Sequence, residues 1–535
     1  MRKKKEKYVR GLVFSSKHLH IPKIFVIIET NIDFCITCRF SDGCKEKTTA
    51  VRRMEIVMFE HANYTMLLDF YELTMANGYF VSGKKDEIAY FDVFFRDIPD
   101  GGGYAIAAGL ESVIDYIKNL KFTEEDIEYL RNKNLFTEEF LEYLRNFRFT
   151  GDIYAVPEGT PVFPREPMMI VRAPSMQAQL IETFLLLALN HQSLIATKAS
   201  RIVRAANGRT VSEFGARRAQ GAESSIYGAR AAYIGGCHST SNTVADRDFG
   251  VNASGTMAHA WVQMFDTEYE AFETYCRIYP HNATLLIDTY NVMKSGLPNA
   301  IRAFKEILIP QGIHNFAVRL DSGDMAYLTK KIRAELIRQG LPECKIVVSN
   351  SLDEHIIRDI LAQGAEIDGF GVGERLITAK SNPVFGGVYK LVAVERDGEI
   401  IPKIKISENP EKITNPHFKK IYRIYDKDSN EAVADLLCVH DEVFDGTEPI
   451  EIFHPQHIWK RKTLTNYYLR ELLVPIFKNG ECVYESPCTE DIRTYCQGQI
   501  NQLWEEVRRF ENPHVYYVDL SQKLWDLKQN MLLGK

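Results

Sequence analysis

The sequence predicts an α/β fold with parallel β-strands, and three observations indicate this class. Between residues 284 and 376, four segments begin apolar and β-prone and then turn abruptly polar or glycine-rich: TLLIDTYNV, NFAVRLDSGD, KIVVSNSLDE and IDGFGVGERL. Helical patterns that end in glycine, such as MAYLTKKIRAELIRQG, lie between them. The chain has 535 residues, 45% of them hydrophobic, enough for two or three domains. Repeated strand–loop–helix units are typical of a parallel sheet or barrel.

A basic extension is predicted over residues 1–53. It carries thirteen Lys or Arg against five Asp or Glu, whereas the whole chain has a net charge of −6. We interpret it as a mobile tail, or as an over-extended start whose true initiator is Met54 or Met58. Its apolar stretch is too short for the hydrophobic region of a signal peptide. The alternative is a basic tail that contacts nucleic acid or targets an organelle.

The overall charge and hydropathy predict no nucleic-acid partner and no membrane partner. The isoelectric point is about 6.2, so the field of the protein does not favour polyanions. The longest apolar runs, such as FLLLAL at 184–189, are much shorter than the roughly 18 residues that span a bilayer. Ten cysteines scattered over this length indicate a reduced, cytoplasmic setting.

Two groups of cysteines were considered as metal ligands. Cys35 and Cys38 form a CxxC pair with Cys44 nearby, but no histidine or fourth cysteine completes a zinc set at close range. A looser group near the C-terminus fits small packed side chains better. Its members are Cys482, Cys488 and Cys496. The sequence therefore predicts no metal site.

Outside the βα units the patterns change. MLLDFYELTMANGYF at 66–80 has helical spacing, and FTEEDIEYLRNKNLFTEEFLEYLRN repeats itself at an offset of fourteen residues. Thr123 and Thr137 are each placed to cap an amphipathic helix with an acidic first turn. Beyond residue 400 the segments resemble hairpins, with a turn at Asn479-Gly480, and two helices follow. These segments predict a separate layer or domain.

The loops after parallel strands gather at one face, so their polar residues are expected to share one mouth. These residues are Asp288, Arg319, Asp321, Asp324, Asn350, Gly371 and Gly373. A guanidinium fits a carboxylate or phosphate, and aspartates can accept from sugar hydroxyls or hold magnesium through water. The alternative for RLDSGD is a structural ion-pair network.

Two further motifs fit phosphate chemistry. In FGVGERL the spaced glycines allow backbone N–H groups to close on an anion, although a tight structural turn is the alternative. In SGTMAHAWV, His259 follows a turn of small residues. Its imidazole is either structural or a nucleophile toward a phosphoryl group.

The stretch EFGARRAQG combines an aromatic ring with two cations. Phe214 offers a stacking face and Arg217 a positive charge, a combination that fits an aromatic carboxylate. Alternatively, Arg217 and its neighbour Arg218 pair with the acidic residues Glu213 and Glu223.

Seven ordered blocks resemble the nicotinate phosphoribosyltransferase family. They are LLDFYELTMANGYF, FFRDIPDGGGYAIAAGLE, EFGARRAQG, YIGGCHSTSN, GTMAHAW, VRLDSGD and FGVGERLITAKSNPVFGGVYKLV. The resemblance runs from about residue 60 to the C-terminus. It implies transfer of a phosphoribosyl group from phosphoribosyl pyrophosphate to nicotinate, giving nicotinate mononucleotide and pyrophosphate in NAD salvage. ATP as a co-substrate, Mg²⁺ and a homodimer are also implied.

The resemblance further implies the fold of the type II phosphoribosyltransferases. This is an irregular α/β barrel with a flanking α+β domain that N- and C-terminal segments form together. We assign residues 54–190 to the N-terminal α+β domain and 191–400 to the catalytic barrel. Residues 401–535 are expected to pack with the N-terminal domain.

Site residues follow from the matching blocks. The positions that resemble nicotinate contacts are Tyr71, Phe214, Arg217, Thr256 and Arg319. The positions that resemble the phosphoribosyl site are Asp288, Gly371, Gly373, Glu374 and Arg375. His259 resembles the histidine that ATP phosphorylates, and it is expected to be catalytic together with Asp321. In related enzymes the aromatic residue matching Tyr71 reaches in from the second subunit.

Three rival functions were weighed. Nicotinamide-specific relatives carry an aspartate in the segment matching TSNTVA, where this chain has Asn242. A quinolinate enzyme would need more basic residues for two carboxylates. A barrel that binds nucleotides without turnover would have lost at least one of the functional residues, all of which are present.

Overall fold

The structure, a computed structural model, describes residues 63–409 and 412–534. The basic extension predicted over 1–53 and its cysteine group lie outside the described residues. The α-helices are α1 (Phe70–Val81), α2 (Leu110–Asn119), α3 (Glu124–Arg131), α4 (Glu138–Arg145), α5 (Ser175–Gln179), α6 (Glu182–Ala205), α7 (Ala222–Ile234), α8 (Thr243–Phe249), α9 (His259–Gln263), α10 (Glu268–Ile278), α11 (Leu297–Ala303), α12 (Met325–Arg338), α13 (Glu354–Ala362), α14 (Glu374–Ile377), α15 (Thr489–Asn501) and α16 (Gln522–Leu532).

The β-strands alternate with these helices in the middle of the chain and cluster toward its end. They are β1 (Ile88–Phe94), β2 (Ala105–Ile106), β3 (Asp152–Ala155), β4 (Pro161–Val162), β5 (Met169–Pro174), β6 (Thr210–Glu213), β7 (Ser239–Thr240), β8 (Thr284–Leu286), β9 (Ala317–Leu320), β10 (Lys345–Ser349), β11 (Gly369–Val372), β12 (Val388–Arg396), β13 (Glu399–Pro402), β14 (Lys419–Asp426), β15 (Ala432–Val439), β16 (Ile450–Phe453), β17 (Arg461–Leu464), β18 (Tyr467–Glu471), β19 (Val474–Lys478), β20 (Glu481–Cys482) and β21 (Val518–Leu520).

A ring of parallel strands forms the catalytic half of the fold. Its order is β7-β6-β11-β10-β9-β8, with every pair parallel. The order is cyclic, because β8 to β11 follow one another and β11 then pairs with β6, as in an α/β barrel. A bridge between Thr240 and Ala253 continues the ring beyond β7. Among the described residues no main-chain hydrogen bond joins that segment to β8, which makes the barrel irregular.

The barrel strands are short and mostly buried, as expected for parallel strands covered on both faces. All four residues of β11 are buried. The polar residues after β9 and β10 begin the next helices: Asp324 accepts from the Tyr327 N–H, and Asp353 accepts from the Ile356 N–H, both at 2.9 Å. Part of the polar loop pattern is therefore explained by helix capping.

A seven-stranded antiparallel sheet flanks the barrel. Its order is β13-β12-β1-β5-β3-β19-β20, so it combines strands from residues 88–174, 388–402 and 474–482. Helices α1 to α4 share its hydrophobic core, in which Leu73 lies with Ile476 and Phe477. N- and C-terminal segments thus form one α+β unit beside the barrel, which confirms the predicted fold class. Residues 388–400, which we assigned to the barrel, pair within this flanking sheet instead.

The remaining C-terminal strands form a third sheet. Its order is β18-β14-β15-β21, and β16 and β17 make a separate antiparallel pair. The hairpin between β19 and β20 turns at Asn479 and Gly480, with φ of +50° and +82°, which agrees with the predicted turn.

The duplicated acidic segment forms two capped helices, as predicted. Thr123 accepts from the Asp126 N–H at the start of α3, and the Asp126 carboxylate accepts from the Thr123 N–H in return. Thr137 accepts from the Phe140 N–H at the start of α4. The two helices contribute Leu130 and Phe140 to the flanking core.

Among the described residues, the helical stretch 175–205 has the length and mean hydropathy (1.2) of a membrane span. However, 67% of its most apolar window is buried inside the protein. It also holds buried polar side chains, including Gln192, Lys198 and Arg201. Its apolar character is therefore that of a core helix, which the sequence reading had not identified as a single long element.

Candidate active site

Arg319 is the centre of a hydrogen-bond network at the carboxyl ends of the barrel strands. Its guanidinium donates to Ser349 Oγ (2.9 Å) and, at 3.2 Å each, to Thr256 Oγ1, the Met257 carbonyl and Asp321 Oδ1. The side chain is only 14% exposed. Because acceptors from three different segments hold it, the guanidinium has a fixed orientation and a single ionised partner.

Asp288 joins the ends of β8 and β9. Its side chain is 1% exposed. One carboxylate oxygen accepts from the Asp321 N–H (2.9 Å) and the Ser322 hydroxyl (2.6 Å). The other lies 3.2 Å from His259 Nε2. Asp288 is therefore fully engaged by protein donors and positions its neighbours.

His259 is the first residue of α9 and faces Asp288. Its side chain is 40% exposed. Because Nε2 lies against the carboxylate, Nδ1 is the ring nitrogen that has no hydrogen-bond partner among the described residues. A carboxylate that holds one nitrogen fixes the tautomer and the ring plane of an imidazole. The second nitrogen is then available as a nucleophile.

Phe214 lies in this mouth, directly after β6. Its ring centroid is 5.9 Å from the guanidinium carbon of Arg319. A Cβ at Gly371 would lie 2.6 Å from the Phe214 ring, and one at Gly373 would lie 3.0 Å from its carbonyl oxygen. The two glycines of FGVGERL thus have a packing reason: they give this aromatic ring and its backbone room to approach β11.

Arg217 and Arg218 are exposed in a short helical turn after Phe214. Neither forms an ion pair with any residue that the structure describes. The carboxylate of Glu213 is buried and accepts from the Gly215 N–H and the Thr240 hydroxyl instead. Burial raises the pKa of Glu213. The alternative in which these arginines pair with Glu213 is wrong, and Glu223 makes no ion pair with them either.

Glu374 and Arg375 are held by their own ion pairs. Glu374 pairs with Lys380 at 2.8 Å, and the hydrogen bond from Lys380 lowers the pKa of this exposed carboxyl. Arg375 pairs with Asp353. The Arg375 side chain is therefore engaged within the chain, and the backbone of this loop is the part that stays available to an anion.

Tyr71 lies on α1, in the flanking domain. Burial and the neighbouring Glu182 carboxylate raise the pKa of its phenol. The side chain is 45% exposed, and no described contact joins it to Phe214 or Arg319. Leu67, Phe70 and Met75, which are close to Tyr71 in the sequence, are exposed as well. Within a single chain, Tyr71 does not complete the barrel mouth.

Asn242 serves as a helix cap. Its Oδ1 accepts from the N–H groups of Val244 and Ala245 at the start of α8, and its Nδ2 donates to Ser225 Oγ at 2.9 Å. Both ends of the amide are used in folding. Because the Asn242 side chain is used in this way, it does not support the argument that Asn242, in place of an aspartate, favours nicotinate over nicotinamide.

Sequence reasoning missed a buried ionic cluster behind the site. Lys198 on α6 donates to Asp100 (3.0 Å), Glu354 (2.8 Å) and Ser381 (2.7 Å). Arg201 also donates to Glu354, at 3.1 Å. The cluster ties α6 to the start of α13. The available signal was the presence of Lys198 and Arg201 in a largely apolar helical stretch, which does not reveal their partners.

The described residues contain no group of three or more His, Cys, Asp or Glu side chains that could hold a metal ion. Cys488 is exposed and Cys496 is buried. Asp321 keeps one carboxylate oxygen without a hydrogen bond to a described residue, whereas both oxygens of Asp288 are engaged. Magnesium would therefore fit here chiefly as an ion that a polyphosphate ligand brings with it.

An irregular parallel barrel, an arginine–aspartate–histidine mouth and a flanking α+β domain built from both chain ends together define the class of type II phosphoribosyltransferases. Solved structures agree. The human nicotinic acid phosphoribosyltransferase matches with a TM-score of 0.75 and 28% identity, over 87% of this chain and 100% of that chain. A nicotinate-nucleotide pyrophosphorylase from Pyrococcus furiosus matches with a TM-score of 0.64 and 26% identity, over 84% and 98%.

Sequence comparisons identify the family within this class. Residues 66–190 match the nicotinate phosphoribosyltransferase N-terminal domain, 210–439 match the nicotinate phosphoribosyltransferase family, and 418–528 match its C-terminal domain. The nicotinate phosphoribosyltransferase of Bacillus subtilis (strain 168) is 44% identical over 474 residues, 89% of this chain and 96% of that protein. The chain belongs to the nicotinate phosphoribosyltransferase family.

Proposed function

We propose that this protein transfers the phosphoribosyl group of phosphoribosyl pyrophosphate to nicotinate, forming nicotinate mononucleotide and pyrophosphate for NAD salvage. The observation that carries the proposal is the arrangement of Arg319, Asp321 and Phe214 at one barrel mouth. An aromatic face beside a fixed cation suits a flat ring that bears one carboxylate.

Nicotinate would stack on the face of Phe214, with its carboxylate toward a cation. Two cations are available: Arg319, with Thr256 as a neighbouring hydroxyl, and Arg217, which has no ion-pair partner among the described residues. The ring nitrogen is nucleophilic at neutral pH. The protein therefore needs to position it, and no strong general base is required.

The phosphoribosyl group would lie between Asp321 and the loop of Gly371 and Gly373. Attack of the pyridine nitrogen on ribose C1 breaks the bond to pyrophosphate, so positive charge builds on the sugar and negative charge on the leaving group. Carboxylates offset the first, and cations and backbone N–H groups offset the second. Magnesium would enter with the pyrophosphate and neutralise part of its charge.

ATP would act through His259. With Nε2 held by Asp288 at 3.2 Å, Nδ1 is the nitrogen that can attack the γ-phosphorus of ATP, displacing ADP and forming a phosphohistidine. Hydrolysis of that phosphoryl group would couple ATP cleavage to substrate binding or product release. The support is geometric: the histidine is half-exposed, oriented and next to the proposed phosphoribosyl site.

A homodimer would complete the site. The exposed apolar surface around Tyr71 suits burial against a second copy of the chain, and this would bring Tyr71 to the ring face opposite Phe214.

We place the enzyme in the cytoplasm, because the scattered cysteines fit a reducing compartment.

Pyrophosphate release tests the proposal. The purified full chain is assayed with phosphoribosyl pyrophosphate and nicotinate, nicotinamide or quinolinate, with and without ATP. We expect turnover with nicotinate, and faster turnover when ATP is present. We expect little turnover with nicotinamide or quinolinate. Turnover with nicotinamide or quinolinate at a comparable kcat/KM, or none with any of the three, contradicts the proposal.

A further inference from the structure

A large cavity lies apart from the barrel mouth. It is bounded by hairpin β16-β17, strand β21 and helix α16, and it has a volume of about 1140 Å³. Neither His259 nor Arg319 lines it. Its size is sufficient for an organic ligand of several hundred daltons.

The lining of this cavity is strongly basic. Its cationic residues are Arg96, Arg165, Lys460, Arg461, Lys462, Arg509 and Lys528. Among the residues that the structure describes, Asp519 is the one carboxylate in the lining. Burial raises the pKa of Asp519 to about 6. The whole chain has a net charge of −6, whereas the lining of this cavity is positively charged, so the cavity attracts anions.

Most of these cations lack an anionic partner. Arg461 pairs with Glu451, and Arg509 pairs with Glu506. The others form no ion pair with any residue in the described ranges 63–409 and 412–534. They are Arg96, Arg165, Lys460, Lys462 and Lys528. Unpaired cations that share a cavity repel one another unless a ligand supplies negative charge.

Lys528 and Arg165 show this most clearly. The Lys528 ammonium donates to the neutral amide oxygen of Asn415 at 2.8 Å. The pKa of Lys528 is lowered to about 8. The main cause is burial, and the nearby charges of Arg165 and Lys419 add to it. Lys419 already pairs with Asp92 at 2.9 Å. Lys528 and Arg165 are therefore two neighbouring cations without an ion pair among the described residues, and one of them is largely buried.

Aromatic side chains line the same cavity. Trp525 on α16 lines the cavity, and its indole N–H donates to the Pro455 carbonyl at 3.1 Å, which fixes the ring plane. Tyr517, His454 and His514 also line the cavity. Fixed aromatic faces next to cations suit a ligand that has both a flat ring and anionic groups.

We propose that this cavity binds a nucleotide-class ligand, with its phosphates at Arg165 and Lys528 and its base against Trp525, at a site separate from the barrel mouth. The ligand would bind without chemical change. By mass action it would stabilise the folded state of the C-terminal sheet and α16.

ATP and inorganic tripolyphosphate are the probes. Binding is measured by equilibrium dialysis on the full chain, in which the barrel mouth is proposed to hold one ATP beside His259. We expect a second ATP site, in this cavity. Introducing Arg165→Met and Lys528→Met should weaken it at least tenfold, whereas the control pair Lys118→Met and Lys345→Met, two exposed lysines on other faces, should leave it unchanged.

Two results would overturn the proposal. One is unchanged ATP affinity in the Arg165→Met/Lys528→Met variant. The other is binding of tripolyphosphate as tight as that of ATP, because the aromatic side chains would then contribute nothing. In the otherwise native chain, Arg165→Met/Lys528→Met should retain basal pyrophosphate release with nicotinate, which separates failure of this site from failure of the proposed function.

Substitution of Lys528 could disturb packing, so a surface variant accompanies it. Lys460 and Lys462 are exposed at the rim, and Lys460→Glu/Lys462→Glu should keep the wild-type unfolding temperature while weakening ATP at least tenfold. A folded rim variant with wild-type ATP affinity counts against the proposal independently of the buried pair.

Discussion

His259 and Asp288 show how much the chemistry at the mouth depends on one contact. The carboxylate of Asp288 is held by a main-chain N–H and a hydroxyl, so it cannot rotate away from the imidazole without losing both bonds. The carboxylate therefore holds Nε2 of the ring, and Nδ1 is the acceptor in the proposed phosphorylation.

Replacing His259 with alanine should remove ATP stimulation while leaving a slow, ATP-independent reaction. The alanine variant keeps the residues proposed to hold nicotinate but has no nitrogen to accept a phosphoryl group. The measurement is pyrophosphate release with and without ATP, with His281→Ala, an exposed histidine, as the control. ATP stimulation of wild-type size in His259→Ala would refute the assignment.

Glu72, next to Tyr71, should make the stability of the flanking domain depend on pH. Burial raises its pKa from 4.5 to about 7, against the hydrogen bond from Thr183, and one carboxylate oxygen has no partner among the described residues. The folded state therefore binds this proton more tightly than the unfolded chain. The resulting stabilisation is complete below about pH 4.5 and is lost as the pH rises through about 7.

Glu72→Gln tests this dependence, because glutamine can still accept from Thr183 but does not titrate. Between pH 5 and pH 8 the variant should lose about 1–3 kcal/mol less unfolding free energy than the wild type. Denaturant unfolding at the two pH values measures it, with the exposed Glu125→Gln as the control. Identical pH dependence in Glu72→Gln and the wild type would contradict a raised pKa.

Which site residues could be foreseen depends on where their partners lie in the sequence. Arg319 and Asp321 are two residues apart at a strand end, and the parallel pattern alone brings them to the same mouth as Asp288. Arg375 looked equally available, but its partner Asp353 lies on the preceding unit and also caps α13. Side-chain pairing between units has no periodic signature, so the sequence could not assign it.

At the scale of elements, the approach of β11 to the chain after β6 shapes the proposed nicotinate pocket. Gly371→Ala would place a methyl group 2.6 Å from the Phe214 ring, so the ring must turn or shift. We expect KM for nicotinate to rise at least tenfold, with a smaller change in KM for phosphoribosyl pyrophosphate. Gly498→Ala, which meets no atom within 4 Å, is the control, and an unchanged KM in Gly371→Ala would contradict the role of Phe214.

The βα units and the capped helices α3 and α4 were predictable because their signals are local: a period, a cap, a terminating glycine. The flanking sheet was not predictable from pattern, because β1 pairs with β12 about 300 residues away. Hydrophobic alternation indicates that a strand has a buried face, but it does not indicate which strand lies beside it. Only the family resemblance indicated that the two chain ends meet.

At the scale of the whole molecule, a shared site predicts complementation between two inactive variants. Tyr71→Ala removes the ring that a neighbouring copy would supply, and Arg319→Ala disables the barrel mouth. In a mixed dimer, one of the two sites has both residues intact. Unfolding and refolding the variants together should restore up to about a quarter of wild-type activity, given random pairing.

Turnover in the mixture is compared with that of each variant refolded alone. Mixed dimers are first confirmed by mass spectrometry with one variant isotopically labelled. If mixed dimers form and activity stays at the level of the separate variants, Tyr71 does not act on the neighbouring copy's site.

Within the part of the chain that the structure describes, no main-chain hydrogen bond joins the segment at Ala253 to β8, and the His259–Asp288 contact spans this joint. Elsewhere around the circle, backbone hydrogen bonds hold adjacent strands. A phosphoryl group on Nδ1 of that imidazole would therefore change the charge of a side chain that bridges this joint of the barrel.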